Sequence, residues 1–290
     1  MTVPLQESYQ YCQQLTRQAA RNFYFAFITL PAAKRRAIFA TYAFCRVSDD
    51  IIDEPAPVEQ QVERLNKMRR NIERAYAGEP EGPIFTALAD VVSTYNIPQQ
   101  HFQDIISGME MDLTVHRYAT FDDLYTYCYR VASAVGLICV EIFGYKDDRA
   151  RQTAIDLGIA MQMTNIMRDV KEDAELCRIY LPQDELARFG YTEDELFRGI
   201  INEQFQALMR FQAERARGYF HSGGSLTPLL SPRSRACAVV LHGLYSRLLD
   251  RMEANKFDVF KGRTSLPTQE KLILTARLWA TSLLPRLRPV

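Results

Sequence analysis

Two aspartate-bearing segments sit inside apolar helical runs and constrain this chain more than any other feature. The first is Cys45-Arg46-Val47-Ser48-Asp49-Asp50-Ile51-Ile52-Asp53-Glu54, and the second is Asn165-Ile166-Met167-Arg168-Asp169-Val170-Lys171-Glu172-Asp173. Each has an arginine shortly before an aspartate and a second aspartate four residues later. On a helix such residues stack on one face, about 6 Å apart along the axis. Ile38, Phe39, Tyr42, Ala43 and Phe44 precede the first segment, and Ile155, Leu157, Ile159 and Met161 precede the second. Carboxylates crowded in apolar surroundings repel, and their charged forms are costly. Mg²⁺ removes that conflict, because it binds through one or two carboxylates together with water and phosphate oxygens. A fold that turns the two segments towards each other would hold a diphosphate through metal.

The rest of the pattern is helix after helix. Pro31 opens a run that reaches about Asp53, where Pro55 and Pro57 stop it. Helical spacing continues over Gln60–Tyr76, from Pro83, and from Pro98 to about Met111. A long apolar helix over Phe121–Phe143 is expected at the centre. Another over Arg149–Ala174 ends in the second aspartate segment. Arg178-Ile179-Tyr180-Leu181-Pro182 reads as a loop, and Tyr191-Thr192-Glu193-Asp194 as a capped helix start. Further helices are expected near Ile201–Phe220, Arg233–Asn255 and Thr268–Leu284. Strand alternation, fixed repeats and linkers are missing. Residues 1–290 therefore read as a single all-α domain.

Composition excludes several classes. Lysine plus arginine equals aspartate plus glutamate at 35 each, which is not the footprint of a nucleic-acid binder. The six cysteines show no metal-ligand spacing and read as reduced thiols of a cytoplasmic protein. The start, Met-Thr-Val-Pro-Leu-Gln-Glu-Ser, lacks the layout of a secretion signal. The apolar stretches Phe23–Ala33 and Val131–Gly144 are too short to span a bilayer. Ile273–Val290, with Arg277, Arg286 and Arg288, reads chiefly as a helix packed on the core; lying on a membrane surface is the alternative. His101, His116, His221 and His242 form no ligand set.

Within each aspartate segment the residues separate by direction. Asp49 and Asp53 share a face, with Arg46 about one turn earlier, while Asp50 points roughly 100° away. Asn165, Asp169 and Asp173 form one polar stripe, and Arg168 lies one residue off it. Lys171 and Glu172 are expected to face water.

Taken with their neighbours, these segments resemble the squalene/phytoene synthase family, the head-to-head prenyl transferases. The resemblance covers roughly residues 8 to 265. It rests on Phe23-Tyr24-Phe25-Ala26-Phe27, Leu30-Pro31, Lys34-Arg35-Arg36 and Tyr42-Ala43-Phe44-Cys45-Arg46 running into the first aspartates. It continues in Tyr127 to Gly136, and its most specific part is Gln162 to Asp173 followed by Arg178-Ile179-Tyr180-Leu181-Pro182.

The resemblance implies an isoprenoid-synthase helical bundle around a central cavity. It implies that two prenyl diphosphates, farnesyl or geranylgeranyl, condense in two steps. One diphosphate leaves, the allylic cation alkylates the second molecule, and proton loss gives a cyclopropyl diphosphate. The second diphosphate then leaves and the skeleton rearranges. Proton loss yields a phytoene-type product; hydride from NADPH yields squalene, so NADPH is needed only in that case, and some members stop at the cyclopropyl diphosphate.

By the same resemblance, Asp49, Asp53, Asn165, Asp169 and Asp173 would hold Mg²⁺, with Mn²⁺ as a substitute. Arg46 and Arg168 would grip phosphate. Phe23, Phe27, Tyr42, Tyr127 and Tyr245 are candidates to face the carbocations. Gln162, Gly136, Arg178 and Tyr180 are further candidates for contact with substrate. Gly136 has either a packing role or the role of widening a tunnel. Where many relatives carry Ser-x-Ser-Phe ahead of the first motif, this chain has Ala20-Arg21-Asn22-Phe23, so Asn22 is the candidate donor there. Asn-Phe at this place also occurs in bacterial branches linked to hopanoid squalene synthesis, which tips the expected product slightly towards C30 over C40. The alternatives are a chain-elongating prenyl transferase, a terpene cyclase or a non-catalytic assembly factor. A monomer and a homodimer are equally compatible with the sequence.

Overall fold

The computed structural model describes residues 3–20 and 23–283. In chain order its helices are α1 (Leu5–Ala19), α2 (Phe23–Phe27), α3 (Ala32–Asp53), α4 (Val58–Tyr76), α5 (Gly82–Tyr95) and α6 (Gln99–Thr114). They continue as α7 (Phe121–Cys128), α8 (Ala134–Phe143), α9 (Arg149–Arg168), α10 (Val170–Glu175), α11 (Gln183–Phe189) and α12 (Glu193–Phe197). The last four are α13 (Glu203–Gly224), α14 (Leu226–Leu229), α15 (Arg235–Ala254) and α16 (Thr268–Leu283). Among the described residues there is no strand, only isolated bridges pairing Arg117 with Ile179 and Tyr145 with Leu230. The all-α reading is therefore correct.

Proline sets several of the helix starts. Pro4, Pro31, Pro57, Pro98 and Pro182 each occupy the N-cap of the next helix. Pro31, read as opening the run, thus stands one place before its first helical residue. Proline has no N–H to lose there, and its φ is already near the helical value. Thr120 and Thr192 open α7 and α12 with reciprocal capping boxes to Asp123 and Glu195. Helix α1, with Ser8, Cys12 and Thr16 buried, packs on α3 and α5 and was not foreseen.

Two expected helices differ in a way that matters. Phe121–Phe143 is one continuous 23-residue stretch, long and apolar enough by composition to cross a membrane, but half of it is buried within the bundle. A π-helical turn over Tyr129–Ser133 joins α7 to α8. That turn adds a residue, and an extra residue rotates the rest of the helix by about 100°. The second difference is that the helix expected to reach Ala174 breaks at Asp169, whose φ is −100° and ψ 13°. Hydrogen bonds of 2.9 Å from Asp169 N–H to Asn165 C=O and 2.8 Å from Asp173 N–H to Asp169 C=O preserve the stacking across the break.

The π-turn needs close neighbours without side chains. A Cβ on Gly158 of α9 would lie 2.7 Å from Ser133 Cα, and one on Gly108 of α6 would lie 2.6 Å from Val131 Cγ1. Ser133 adds a 2.8 Å bond to the Ile155 carbonyl. Gly158→Ala drives a methyl group into backbone. It is expected to cost about 1–3 kcal/mol, the usual cost of overpacking, read as a lower melting temperature. An unchanged melting temperature would mean that the π-turn and α9 can separate freely.

At the C-terminal end, α16 packs on α15 and α2, with Thr275 buried and Leu274 and Leu278 against the core. Leu272, Ile273 and Trp279 face outward. Arg286 and Arg288 lie outside the described residues.

Candidate active site

The cavity is the product of three helices that each bring an apolar stripe inward and end it in a polar residue. On α3 the stripe is Ile38, Thr41, Tyr42, Cys45 and Asp49; on α9 it is Ala154, Leu157, Gly158, Met161, Gln162 and Asn165. Each spans about 16 Å at 1.5 Å per residue. The α7–α8 stripe runs the other way, from Tyr127 through Val131, Val135, Gly136, Cys139 and Val140 to Phe143. Without the extra residue of the π-turn, Tyr127 and the Val135–Phe143 stripe would point in different directions. Together with Ile105, Met109, Asp112, Ala238, Leu241, Tyr245, Phe23 and Phe27, these enclose about 380 Å³. That lies within the range of small-molecule sites. Polar groups gather at one end and hydrocarbon at the other.

At the polar end, Asp49 faces the cavity and Asp53 lies one turn on, exposed at the rim. Burial pushes the Asp49 carboxyl up to about 7, helped by the charges of Asp53 and Asp112 and opposed by Arg46. Arg46 is ion-paired to Asp50 and is 3.9 Å from Asp53. Asp50, set aside as a ligand by its direction, is thus the group that steadies Arg46.

The second segment is arranged differently. Arg168 clamps Asp169 through bonds of 2.7 and 2.5 Å, and Arg263 does so through bonds of 2.8 and 2.9 Å. Burial alone would raise the Asp169 carboxyl, but these two guanidinium groups hold it below the usual carboxylate range. Burial and the charges of Asp169 and Asp112 push Asp173 up to about 7, against Arg178. Asn165 donates to Gln162 at 3.2 Å, while its own Oδ1 is buried with no partner among the described residues. Glu172, expected to face water, is half-buried, and its Oε2 has no partner among the described residues. Lys171 is half-buried as well.

The aromatic candidates divide between two walls. Phe23 lies 6.0 Å from Phe27, 6.2 Å from Tyr42 and 5.9 Å from Tyr245, ring centre to ring centre. Tyr127 is on another wall, its ring 5.0 Å from that of Tyr180. Tyr180 backs Tyr127 and does not line the cavity, and Arg178 sits behind Asp173. Gly136 lines the cavity, and a Cβ there would lie 3.0 Å from the Ala154 carbonyl oxygen. Asn22 lies outside the described residues.

The residues fit a hard divalent cation shared with a ligand. Among the described residues no three acidic, histidine or cysteine side chains converge into a metal cage of their own. Two carboxyls pushed up to about 7 by burial and a buried amide oxygen without a hydrogen-bond partner among the described residues are nevertheless a hard-oxygen donor set. Mg²⁺ is typically held in this way, by a few protein oxygens and substrate phosphates.

Sequence reasoning missed Asp112 and Arg263. Asp112 ends the α6 stripe Ile105, Met109, Asp112, a helical spacing that was readable. Arg263 lies 94 residues from Asp169 in an irregular segment, and nothing local marks it.

A helical bundle with acidic segments at the mouth of an apolar cavity is the architecture of a prenyl transferase. Comparison with known proteins agrees. The sequence profile of squalene/phytoene synthase matches residues 16–270, and this chain belongs to that family. A protein named 15-cis-phytoene synthase from Synechococcus elongatus is 43% identical over 280 residues, 92% of this chain and 91% of the relative. A crystal structure of a dehydrosqualene synthase in complex with ligand superposes with a TM-score of 0.89 at 28% identity, covering 96% of this chain and 97% of that one. The squalene synthase HpnC from Alicyclobacillus acidocaldarius gives 0.83 at 30% identity, covering 88% and 97%. The chain is thus an enzyme of the head-to-head class, and the elongating, cyclising and non-catalytic alternatives fall away.

Proposed function

We propose that this chain joins two molecules of geranylgeranyl diphosphate, through a cyclopropyl diphosphate, to the C40 hydrocarbon phytoene, with Mg²⁺ as its metal. The observation that carries the C40 reading is the 43% identity to the Synechococcus relative named for phytoene; the structural relatives named for dehydrosqualene and squalene stand at 28% and 30%. That difference outweighs the slight lean towards C30 drawn from Asn22.

Asp49, Asp53, Asn165, Asp169 and Asp173 are the residues that would hold Mg²⁺. When bound, the metal supplies charge neutralisation on diphosphate oxygens as they leave. Arg46 and Arg168, each presented by a carboxylate beside it, donate to the same oxygens. The apolar stripes of α3, α8 and α9 take the prenyl chains and exclude water, which would otherwise quench a carbocation. Phe23, Tyr42 and Tyr245 offer aromatic faces, each worth about 0.5–2 kcal/mol to a nearby cation. The sequence of bonds ends in proton loss, so no NADPH is consumed.

Substrate preference tests this reading. With Mg²⁺ and no NADPH, geranylgeranyl diphosphate is expected to be turned over with a kcat/KM at least about tenfold above that for farnesyl diphosphate, a difference of about 1.4 kcal/mol. Chelating the metal is expected to stop both. A preference for farnesyl diphosphate would move the enzyme to the C30 branch.

A further inference from the structure

We propose that Asp112 is a positioning residue for the reaction, holding the hydroxyls of Tyr127 and Tyr180 so that Tyr127 presents its ring and its oxygen to the cavity. The inference rests on the prenyl-transferase reading of the same cavity.

Asp112 is 7% exposed and lies on the cavity wall. Its Oδ1 accepts from Tyr180 at 2.7 Å and its Oδ2 accepts from Tyr127 at 3.2 Å. The two hydroxyl oxygens are 3.5 Å apart. Tyr118 completes the packing, its ring centre 5.6 Å from that of Tyr127 and 5.7 Å from that of Tyr180. A buried carboxylate is normally paired with a cation at contact distance. Among the described residues Asp112 has only two neutral phenols as direct partners, although the charge of Arg178 reaches it. Its charge is felt by Asp49 and by Asp173, one from each aspartate segment.

The arrangement has a chemical consequence. With its proton held towards Asp112, the Tyr127 hydroxyl keeps its lone pairs for the cavity. Donation to a carboxylate also makes that oxygen more negative. A polarised oxygen and a ring face at this point suit a carbocation formed next to departing diphosphate.

Asp112→Asn keeps the size and one acceptor but replaces the other acceptor with a donor, which turns one phenol around. It is expected to lower kcat about 10–100-fold, the usual cost of losing an orienting partner, while KM changes less than about threefold. In a Tyr127→Phe background the same change is expected to cost less than about twofold, because its target is gone. Tyr180→Phe is expected to have a smaller effect than Asp112→Asn, and Asp112→Glu to recover part of the rate. Effects of Asp112→Asn and Tyr127→Phe that multiply would overturn the proposal, as would full activity in Asp112→Asn. A readout without turnover is the fluorine resonance of 3-fluorotyrosine placed at position 127. It is expected to move in Asp112→Asn, and an unmoved resonance in a folded variant would also overturn the proposal. If the unmodified enzyme makes no product, the prenyl-transferase reading fails, while the fluorine experiment still decides the contact.

Discussion

Asp49→Asn is expected to abolish turnover and, in metal-free protein at pH 8, to raise the melting temperature. Both effects come from the same burial. An aspartate in an unfolded chain titrates near 3.9, whereas Asp49 in the folded protein is pushed up to about 7. Between those values the folded state holds a proton that the unfolded state has lost. Stability therefore falls as pH rises from about 4 to about 7, and the full penalty is present above 7. Asparagine carries no charge at any pH, so the gain appears at pH 8 and vanishes near pH 4. Mg²⁺ relieves the same penalty in the unmodified protein, which is expected to gain more thermal stability from Mg²⁺ plus diphosphate than the variant does. Loss of a ligand to a metal that contributes several kcal/mol lowers the rate by about 10³-fold or more. Calorimetry at pH 4 and pH 8, beside a rate assay, checks both halves. An active variant, or one destabilised at pH 8, would contradict the account of this carboxylate.

Asp169→Ala is expected to be equally inactive, but with the opposite effect on stability. Asp169 is held below the usual carboxylate range by Arg168 and Arg263. Its stabilising contribution is present above the unfolded value and is lost as pH falls below about 4. Removing it leaves the Arg168 side chain, 12% exposed, without its carboxylate. Breaking a buried pair on one side costs about 3–5 kcal/mol, and the 51% exposure of Arg263 places this case at the lower end. The melting temperature is expected to fall on the order of 5–10 °C at pH 7–8. A variant as stable as the parent would show that the two arginines find other partners at no cost. The two aspartates share a proposed role, yet one is a strained charge and the other a clamped one.

Much of this was readable from the residues, because it depends on neighbours in sequence. Pro31 and Pro98 mark helix starts through their own backbone chemistry, and Pro57, read only as a stop, opens the next helix as well. The pairs Asp49–Asp53 and Asp169–Asp173 are legible because a helix stacks residues four apart. Other features arise only when distant segments meet. Arg263 reaches Asp169 from an irregular segment. Asp112 matters because Tyr127 and Tyr180 come from two other elements. The π-turn depends on Gly108 and Gly158 standing opposite Val131 and Ser133 on neighbouring helices. Glu172 was misjudged because its spacing says nothing of the neighbours that leave it half-buried.

Stoichiometry is the most direct measure of the central claim. Purified enzyme incubated with Mg²⁺ and geranylgeranyl diphosphate, without NADPH or isopentenyl diphosphate, is expected to release two diphosphates for every hydrocarbon formed. The hydrocarbon should have the mass of a C40 product. Release of diphosphate without a C40 hydrocarbon, or no release at all, would contradict it.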